Sequence, residues 1–175
     1  AIAAHTPNQP RFVLLSDRDR PGLDPRADLR QIPEFWLNPV FLGPGCQTKL
    51  AMFQEGVLQD DLPVLYVDLD TVVTGDLAQV VHKLPRPDGL MLLQSVFLPL
   101  GAIGRFVWRL TKGRKYARGN SSLVVFHPKY HYSIAKQFTD LWSEKQSLWF
   151  RPMIADERFM SWASQAVVSA IPSSL

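Results

Sequence analysis

Two carboxylates, Asp68 and Asp70, stand one residue apart in the segment VLYVDLDTVVTGD, Val64 to Asp76. Pro63 introduces the apolar run Val64-Leu65-Tyr66-Val67, the pattern of a strand passing through a core, and the acids fall where that strand should emerge. Side chains alternate along an extended chain, so Asp68 and Asp70 are expected on one side and Leu69 on the other. Carboxylates so placed repel, and a cation near them relieves the repulsion. Mg²⁺ or Mn²⁺ is commonly held by one or two carboxylates together with substrate phosphates. Ligands of open α/β sheets bind at the carboxyl ends of the strands. An ion held there would neutralise a diphosphate and help it depart. The competing reading is that the two acids only end a strand and cap a turn. A carboxylate next to an apolar core costs free energy unless it has a partner, which favours the ligand reading.

Two chemistries use such a pair. In one, D-x-D holds the ion bound to the diphosphate of a nucleotide-sugar during sugar transfer. In the other, that of haloacid-dehalogenase-type phosphatases, a hydrophobic strand leads into D-x-D-x-T/V, with the first Asp a nucleophile and the second a general acid. Asp68-Leu69-Asp70-Thr71-Val72 meets the second pattern too, with Ser95 and Asp156-Glu157 in the places of its later motifs. The local pattern leaves both open.

The elements that must position these residues follow from the apolar spacing. Strands are expected at Phe12–Leu15, Val64–Val67, Leu90–Leu93 and Leu123–Phe126. Between the first two lie a Pro-rich connection from Arg18 to about Pro44 and a helix from Gln47 to Leu58, its apolar residues being Leu50, Phe53 and Val57. Asp76 is placed to cap a helix, with Gln79 three residues on. Gln94 to Gly119 shows no clear period. Pro128 opens a long helix with Ile134, Phe138, Leu141 and Trp142 inward and Lys136, Gln137, Asp140 and Glu144 toward water. A last helix spans roughly Asp156 to Gln165, before the short run Val167-Val168. Strands alternating with helices predict an α/β sheet. No repeat or linker divides the chain, so residues 1–175 are expected to be one domain.

Composition narrows the classes. With 175 residues, 46% apolar and 20% charged, this is an ordinary globular composition. The single cysteine, Cys46, excludes an internal disulfide and a zinc site needing two thiolates. The net charge of +3 is local: Arg105 to Arg118 holds six basic residues and no acid, which leaves the rest of the chain at −3. A nucleic-acid reader would spread its basic residues over a face, so no nucleic-acid partner is expected. One basic loop suits an anionic small molecule, an acidic lipid surface or plain solvation. The longest apolar candidate, Gly89 to Trp108, is interrupted by Gln94, Ser95, Pro99 and Arg105, so no transmembrane helix is expected. The opening AIAAHTPNQP has no basic region followed by an apolar core, and it lacks a starting Met. The expected location is cytoplasmic, peripheral to a membrane if the basic segment touches one.

A resemblance favours sugar transfer. Gln47-Thr48-Lys49-Leu50-Ala51-Met52-Phe53, followed by Asp68 nineteen residues after the lysine, resembles the T-K-L helix and D-x-D of the glycogenin-like family 8 glycosyltransferases. Gly119-Asn120-Ser121-Ser122-Leu123-Val124-Val125-Phe126-His127-Pro128 resembles that family's N-S/A-G segment, and Asp156-Glu157 stands where it has an Asp-Gln pair. The match spans roughly Phe12 to Ala163. A phosphatase would instead carry its D-x-D near the first strand of its domain.

The resemblance implies a GT-A fold, a Rossmann-like mixed sheet flanked by helices. It also implies a hexosyltransferase moving sugar from a nucleotide-diphosphate donor to a hydroxyl of a glycan, lipid-linked or protein acceptor. Asp68 and Asp70 would ligate Mn²⁺ or Mg²⁺, and Lys49 would face the donor's phosphates or sugar. Asn120 and Ser121 would bind the donor sugar or position the acceptor. Asp156 would line the sugar pocket near the reacting carbon, with Glu157 a second candidate. Each has a plainer reading: Lys49 a solvated helix lysine, Asn120 a turn residue tolerating a left-handed backbone, Asp156 a helix N-cap worth about 1 kcal/mol. The Arg105–Arg118 segment reads as a mobile solvated loop, a flap over the diphosphate, or a contact with an anionic lipid-linked acceptor helped by Phe106 and Trp108.

The departures are specific. The family's third-position Gly is Ser122, and Asp-Gln becomes Asp-Glu. The family's first, nucleoside-holding strand has no counterpart before Phe12. Its late metal-binding His has none among His5, His82, His127 and His131. The chain is therefore expected to be a fragment of a larger GT-A domain lacking both ends; were it complete, donor binding should be crippled. Inverting and retaining stereochemistry both stay open, as does a degenerate GT-A domain that only binds.

Overall fold

In the computed structural model, which describes residues 10–95 and 97–172, the apolar runs form two sheets flanked by helices, a mixed α/β arrangement. β1 (Phe12–Ser16) and β2 (Ala27–Gln31) make a two-stranded parallel sheet. The larger sheet has the order β3 (Val64–Val67), β5 (Gly119–Phe126), β4 (Leu90–Gln94), β6 (Val168–Ala170). β5 is antiparallel to both of its neighbours, while β4 and β6 are parallel. The helices are α1 (Leu77–His82), α2 (Ala102–Leu110), α3 (Tyr132–Lys145) and α4 (Asp156–Ala163).

Strand alternation sorts the apolar residues onto two faces of the larger sheet. Leu90 and Leu92 of β4 and Val124 and Phe126 of β5 turn to the main core, where they meet Trp36, Leu50, Phe53, Ile134, Phe138 and Phe159. Met91 and Val125 turn the other way, to Val80 of α1 and to Ile171. The main core is rich in aromatic contacts: Phe41 lies 4.7 Å from Trp142, and Phe53 4.7 Å from Phe126, between ring centroids. Burying one such side chain is worth about 2–3 kcal/mol. Val64 and Tyr66 of β3 pack on this same face.

All four expected strands are present, with β5 starting four residues earlier than its apolar run, at Gly119. Asp76 caps α1 by accepting from the Ala78 N–H at 2.9 Å. Ile134, Phe138 and Trp142 are buried along α3, while Lys136 and Asp140 pair on its exposed side at 2.9 Å.

Three expectations need correction. Gln47–Phe53 is a 3-10 helix, not an α-helix continuing to Leu58. The chain turns extended at Gln54, whose carboxamide accepts the Trp36 indole N–H at 2.6 Å, and this tether stops the helix. The connection from Arg18 to Pro44 contains β2, hidden because Asp28 and Arg30 give it polar positions. The aperiodic stretch and its basic loop contain α2. That helix meets the body through Gly104, with Val107 and Trp108 half-buried, and turns Ile103, Phe106 and Leu110 outward, so no fully buried stripe marks it.

The antiparallel ladder between β4 and β5 is broken once. Leu92 pairs with Val124, but Leu93 pairs with Asn120, so residues 121–123 of β5 bulge out of the β4 register. Gly119 closes the bulge: a Cβ there would meet Leu92 Cβ at 2.5 Å. Bulges re-aim side chains beside sites, and this one aims Ser121.

Candidate functional site

Lys49 comes from the 3-10 helix and reaches the carboxyl end of β3. Its Nζ lies 3.0 Å from Asp68 Oδ1 and 3.2 Å from Asp156 Oδ2, and donates to Ser121 Oγ at 3.3 Å. Ser121 donates in turn to Asp156 Oδ2 at 2.8 Å. The Tyr66 hydroxyl donates to Asp68 Oδ1 at 2.8 Å, and the Lys49 ammonium sits 5.4 Å from the Tyr66 ring centroid. The cluster is largely enclosed: the Lys49 side chain is 13% exposed and that of Asp156 8%.

Backbone contacts hold the contributing segments in place. Cys46 adopts a left-handed φ of 50° and starts the Lys49 helix. The buried Gln47 carboxamide donates to the Met153 carbonyl at 2.9 Å, and the Asp156 N–H donates to the Gly45 carbonyl at 2.8 Å. Residues 45–49 are thus tied to the start of α4, which sets Lys49 against Asp156. The Asp68 N–H donates to the Ser122 carbonyl at 3.0 Å, which ties the end of β3 to the bulge.

The electrostatics follow from this packing. Burial pushes the Asp68 carboxyl up, but hydrogen bonds from Tyr66 and Lys49 and the lysine's charge outweigh it, so the group stays below its ordinary value. Burial pulls Lys49 down, yet the charge of Asp156 and its contacts with Asp68 carry it above the ordinary lysine value. Burial and the bond to Asp68 push the Tyr66 hydroxyl far up, so it acts only as a donor.

Of the seven residues singled out from the sequence, four converge: Lys49, Asp68, Ser121 and Asp156. Three do not join the cluster. The alternation that would set Asp70 beside Asp68 stops at Val67, because the chain turns and the Thr71 N–H donates back to the Asp68 carbonyl at 3.0 Å. Asp70 is therefore exposed on that turn. Asn120 is also exposed and accepts from the Ser122 N–H at 2.9 Å, a local turn contact made without a left-handed backbone. Glu157 is half-buried, and its charge reaches Tyr116, which also feels Arg158, Arg118 and Arg151. Asp156 is not the helix cap, since Ala155 holds that position and makes no side-chain bond; the carboxylate is free to face the cluster.

Tyr66 was missed, having been counted only as a core residue. Its place two residues before Asp68, on the same strand face, was the available signal. Among the described residues no group of three or more His, Cys, Asp or Glu is gathered to hold a metal ion. Asp68 is engaged by Lys49 and Tyr66 and Asp70 stands exposed on the turn beyond it, so of the two carboxylates only Asp70 is open here to a divalent cation that takes its other ligands from water and phosphate.

Beside the turn, an open cleft of about 630 Å³ runs from Leu69 along β1, lined by Val13, Leu15, Ser16, Arg20 and Leu23. Comparison with protein-family models, characterised proteins and solved structures finds no match.

Proposed function

We propose that the chain is a GT-A-type glycosyltransferase domain that moves a hexose from a nucleotide-diphosphate sugar to a hydroxyl acceptor. The observation that carries the reading is the convergence of Lys49, Asp68, Ser121 and Asp156, from four separate segments, at the carboxyl end of one strand. The mixed sheet, with its antiparallel β5, agrees with it. Asp70 would hold Mn²⁺ or Mg²⁺, joined by Asp68 when Lys49 turns to the donor, and the ion when bound would supply positive charge for the departing diphosphate.

The chain's own residues do the rest. Lys49 is a compact cation with three donors on one nitrogen. Swung between Asp68 and the donor, it stabilises the negative charge that builds on the leaving diphosphate. Tyr66 keeps one Asp68 oxygen occupied and so fixes the direction of the other. Asp156 uses Oδ2 for Lys49 and Ser121, which leaves Oδ1 for a sugar hydroxyl near the reacting carbon. The cleft between Leu69 and β1 has room for the nucleoside.

The phosphatase reading fits less well. β5 stands between β3 and β4, so Ser95, at the end of β4, is two strand spacings from Asp68, about 10 Å. A nucleophilic Asp68 would also attack while held by Lys49 and Tyr66.

The test is nucleotide release by the chain with Mn²⁺ and a panel of nucleotide-sugars. Release from at least one donor, abolished by Asp68→Asn, is expected. Hydrolysis of p-nitrophenyl phosphate with no nucleotide release would overturn the reading in favour of the phosphatase. A melting temperature that Mn²⁺ and nucleoside diphosphates leave unmoved would overturn donor binding.

A further inference from the structure

The basic segment of the sequence carries a feature that the proposed chemistry leaves unused. In α2 the side turned to the body is Gly104, against Ala117 and the Pro99 carbonyl; a Cβ there would meet the Ala117 Cβ at 2.7 Å. The opposite side of the helix carries Ile103, Phe106 and Leu110, spaced i, i+3 and i+7, which are 59%, 67% and 72% exposed. Phe97, just before the helix, is exposed as well. A helix that folded only to bury apolar surface would present the other face. Here Ile103, Phe106 and Leu110 form an outward ridge, while Gly104 faces in together with the half-buried Val107 and Trp108.

Cations flank the ridge. Arg105 and Arg109 lie one turn apart on one side of it, and Lys112, Arg114 and Lys115 follow in the turn after the helix. Lys112 and Gly113 take positive φ there and fold the chain back beneath Trp108. Among the described residues none of the six basic side chains from Arg105 to Arg118 is in an ion pair. Arg105 is anchored inward, donating to the Ala166 carbonyl at 3.4 Å.

We propose that α2 docks the protein flat on an anionic lipid bilayer, with Ile103, Phe106 and Leu110 entering the headgroup boundary and the cations against acidic lipid. A strongly two-sided helix with basic flanks and outward Phe and Leu is what an interfacial helix requires. The occupant is fixed by shape and charge together. The ridge residues stand out of the surface, each more than half exposed, as side chains that insert into a bilayer must. A second copy of the chain would bring the two basic sets against each other. No helix among the described residues is long and apolar enough to cross a membrane, so the contact lies on the surface. The proposal is independent of the catalytic reading, and its test uses no nucleotide or sugar.

The experiment is co-sedimentation of the chain with vesicles of phosphatidylcholine alone or mixed with phosphatidylglycerol. Binding to the mixed vesicles is expected, with little to the neutral ones. It should weaken as salt shortens the screening length from about 10 Å at 0.1 M to about 3 Å at 1 M. The triple variant Ile103→Ser, Phe106→Ser, Leu110→Ser should bind mixed vesicles at least tenfold more weakly. The separate substitutions Arg109→Gln and Lys115→Gln should each cost roughly fivefold. These side chains are exposed, so far-UV circular dichroism and melting should stay as in the unmodified chain, and this verifies that the variants fold. Absence of binding at low salt, or equal binding to neutral vesicles, would overturn the proposal. So would full retention by the apolar triple variant, or capture of polyglutamate in place of vesicles. Displacement by millimolar inorganic phosphate would also overturn it, by reassigning the cations to a soluble anion.

Discussion

Lys49 is the residue on which the site balances, because one ammonium separates two carboxylates that would otherwise face each other across a largely enclosed space. Removing one member of a buried pair leaves the rest uncompensated, at about 3–5 kcal/mol when burial is complete. The partial exposure of Asp68 lowers this, and Lys49→Met should cost about 2 kcal/mol, or about 4–8 °C of melting temperature for a chain of this size. In the donor assay the same variant should lose about a hundredfold in kcat/KM. A melting temperature within a degree of the unmodified chain would show that the cluster is solvated and adds nothing.

The pH dependence has a definite sign. Asp68 is lowered from 3.8, so its contribution is present above that value and is lost as pH falls through the folded-state pKa. Lys49 is raised from 10.5, so its contribution is present below that value and is lost as pH rises through its own folded-state pKa. Thermal melts across pH should therefore show a plateau between these limits. Asp68→Asn should flatten its acid edge. Tyr66→Phe, which removes one hydrogen bond to the carboxylate, should destabilise by about 1–2 kcal/mol near neutrality and move that edge to higher pH. An unchanged edge would mean that Tyr66 does not position Asp68.

At the scale of elements, the bulge in β5 is what brings Ser121 to Lys49, and Gly119 lets the strand approach Leu92 closely enough to close it. Gly119→Ala must push β4 and β5 apart, at about 1–3 kcal/mol. Because the displaced strand carries Ser121, the variant should also lose donor-induced stabilisation, which a thermal shift assay with Mn²⁺ and nucleoside diphosphate would read. A loss of stability with ligand response intact would separate the bulge from the site.

This is also the scale at which the sequence could and could not be read. Continuous apolar runs placed the four strands, since a strand with packing on both faces writes itself as a run such as Val64–Val67 or Leu123–Phe126. Lys49 and Asp156 were singled out only by the resemblance to the glycogenin-like family, since by type and position alone they read as a solvated lysine and a helix cap. The turn after β3 was not, because Leu69 and Thr71 continue an alternating pattern that the backbone abandons; Asp70 was misplaced with it. α2 was illegible for a different reason. Ile103, Phe106 and Leu110 lie away from the core and only Gly104 is fully buried, so no period in the sequence aligned the helix with a buried face.

At the scale of the whole molecule, the two sheets are not equally secured. The larger one is covered on one face by α3, α4 and the Lys49 helix and on the other by α1, with Leu90, Leu92, Val124 and Phe126 fully buried. The β1–β2 sheet has two strands, and its residues other than Ser16 are half-buried or exposed. Two strands alone are marginal in water, so β1 and β2 should open at lower free energy than β4 and β5. In native-state hydrogen exchange, amides of Leu92 and Val124 should be the slowest and those of Leu14 and Leu29 at least tenfold faster. The functional reading adds a consequence, because the cleft between Leu69 and β1 is where the nucleoside would lie. A ligand that binds only the closed sheet stabilises it by about 2.7 kcal/mol at a hundred times its dissociation constant. Saturating Mn²⁺ and nucleoside diphosphate should therefore slow exchange in β1 and β2 toward the rate of the large sheet. Uniform slowing of all strands would place the ligand's stabilisation in global unfolding alone, and no slowing in β1 would move the nucleoside out of that cleft.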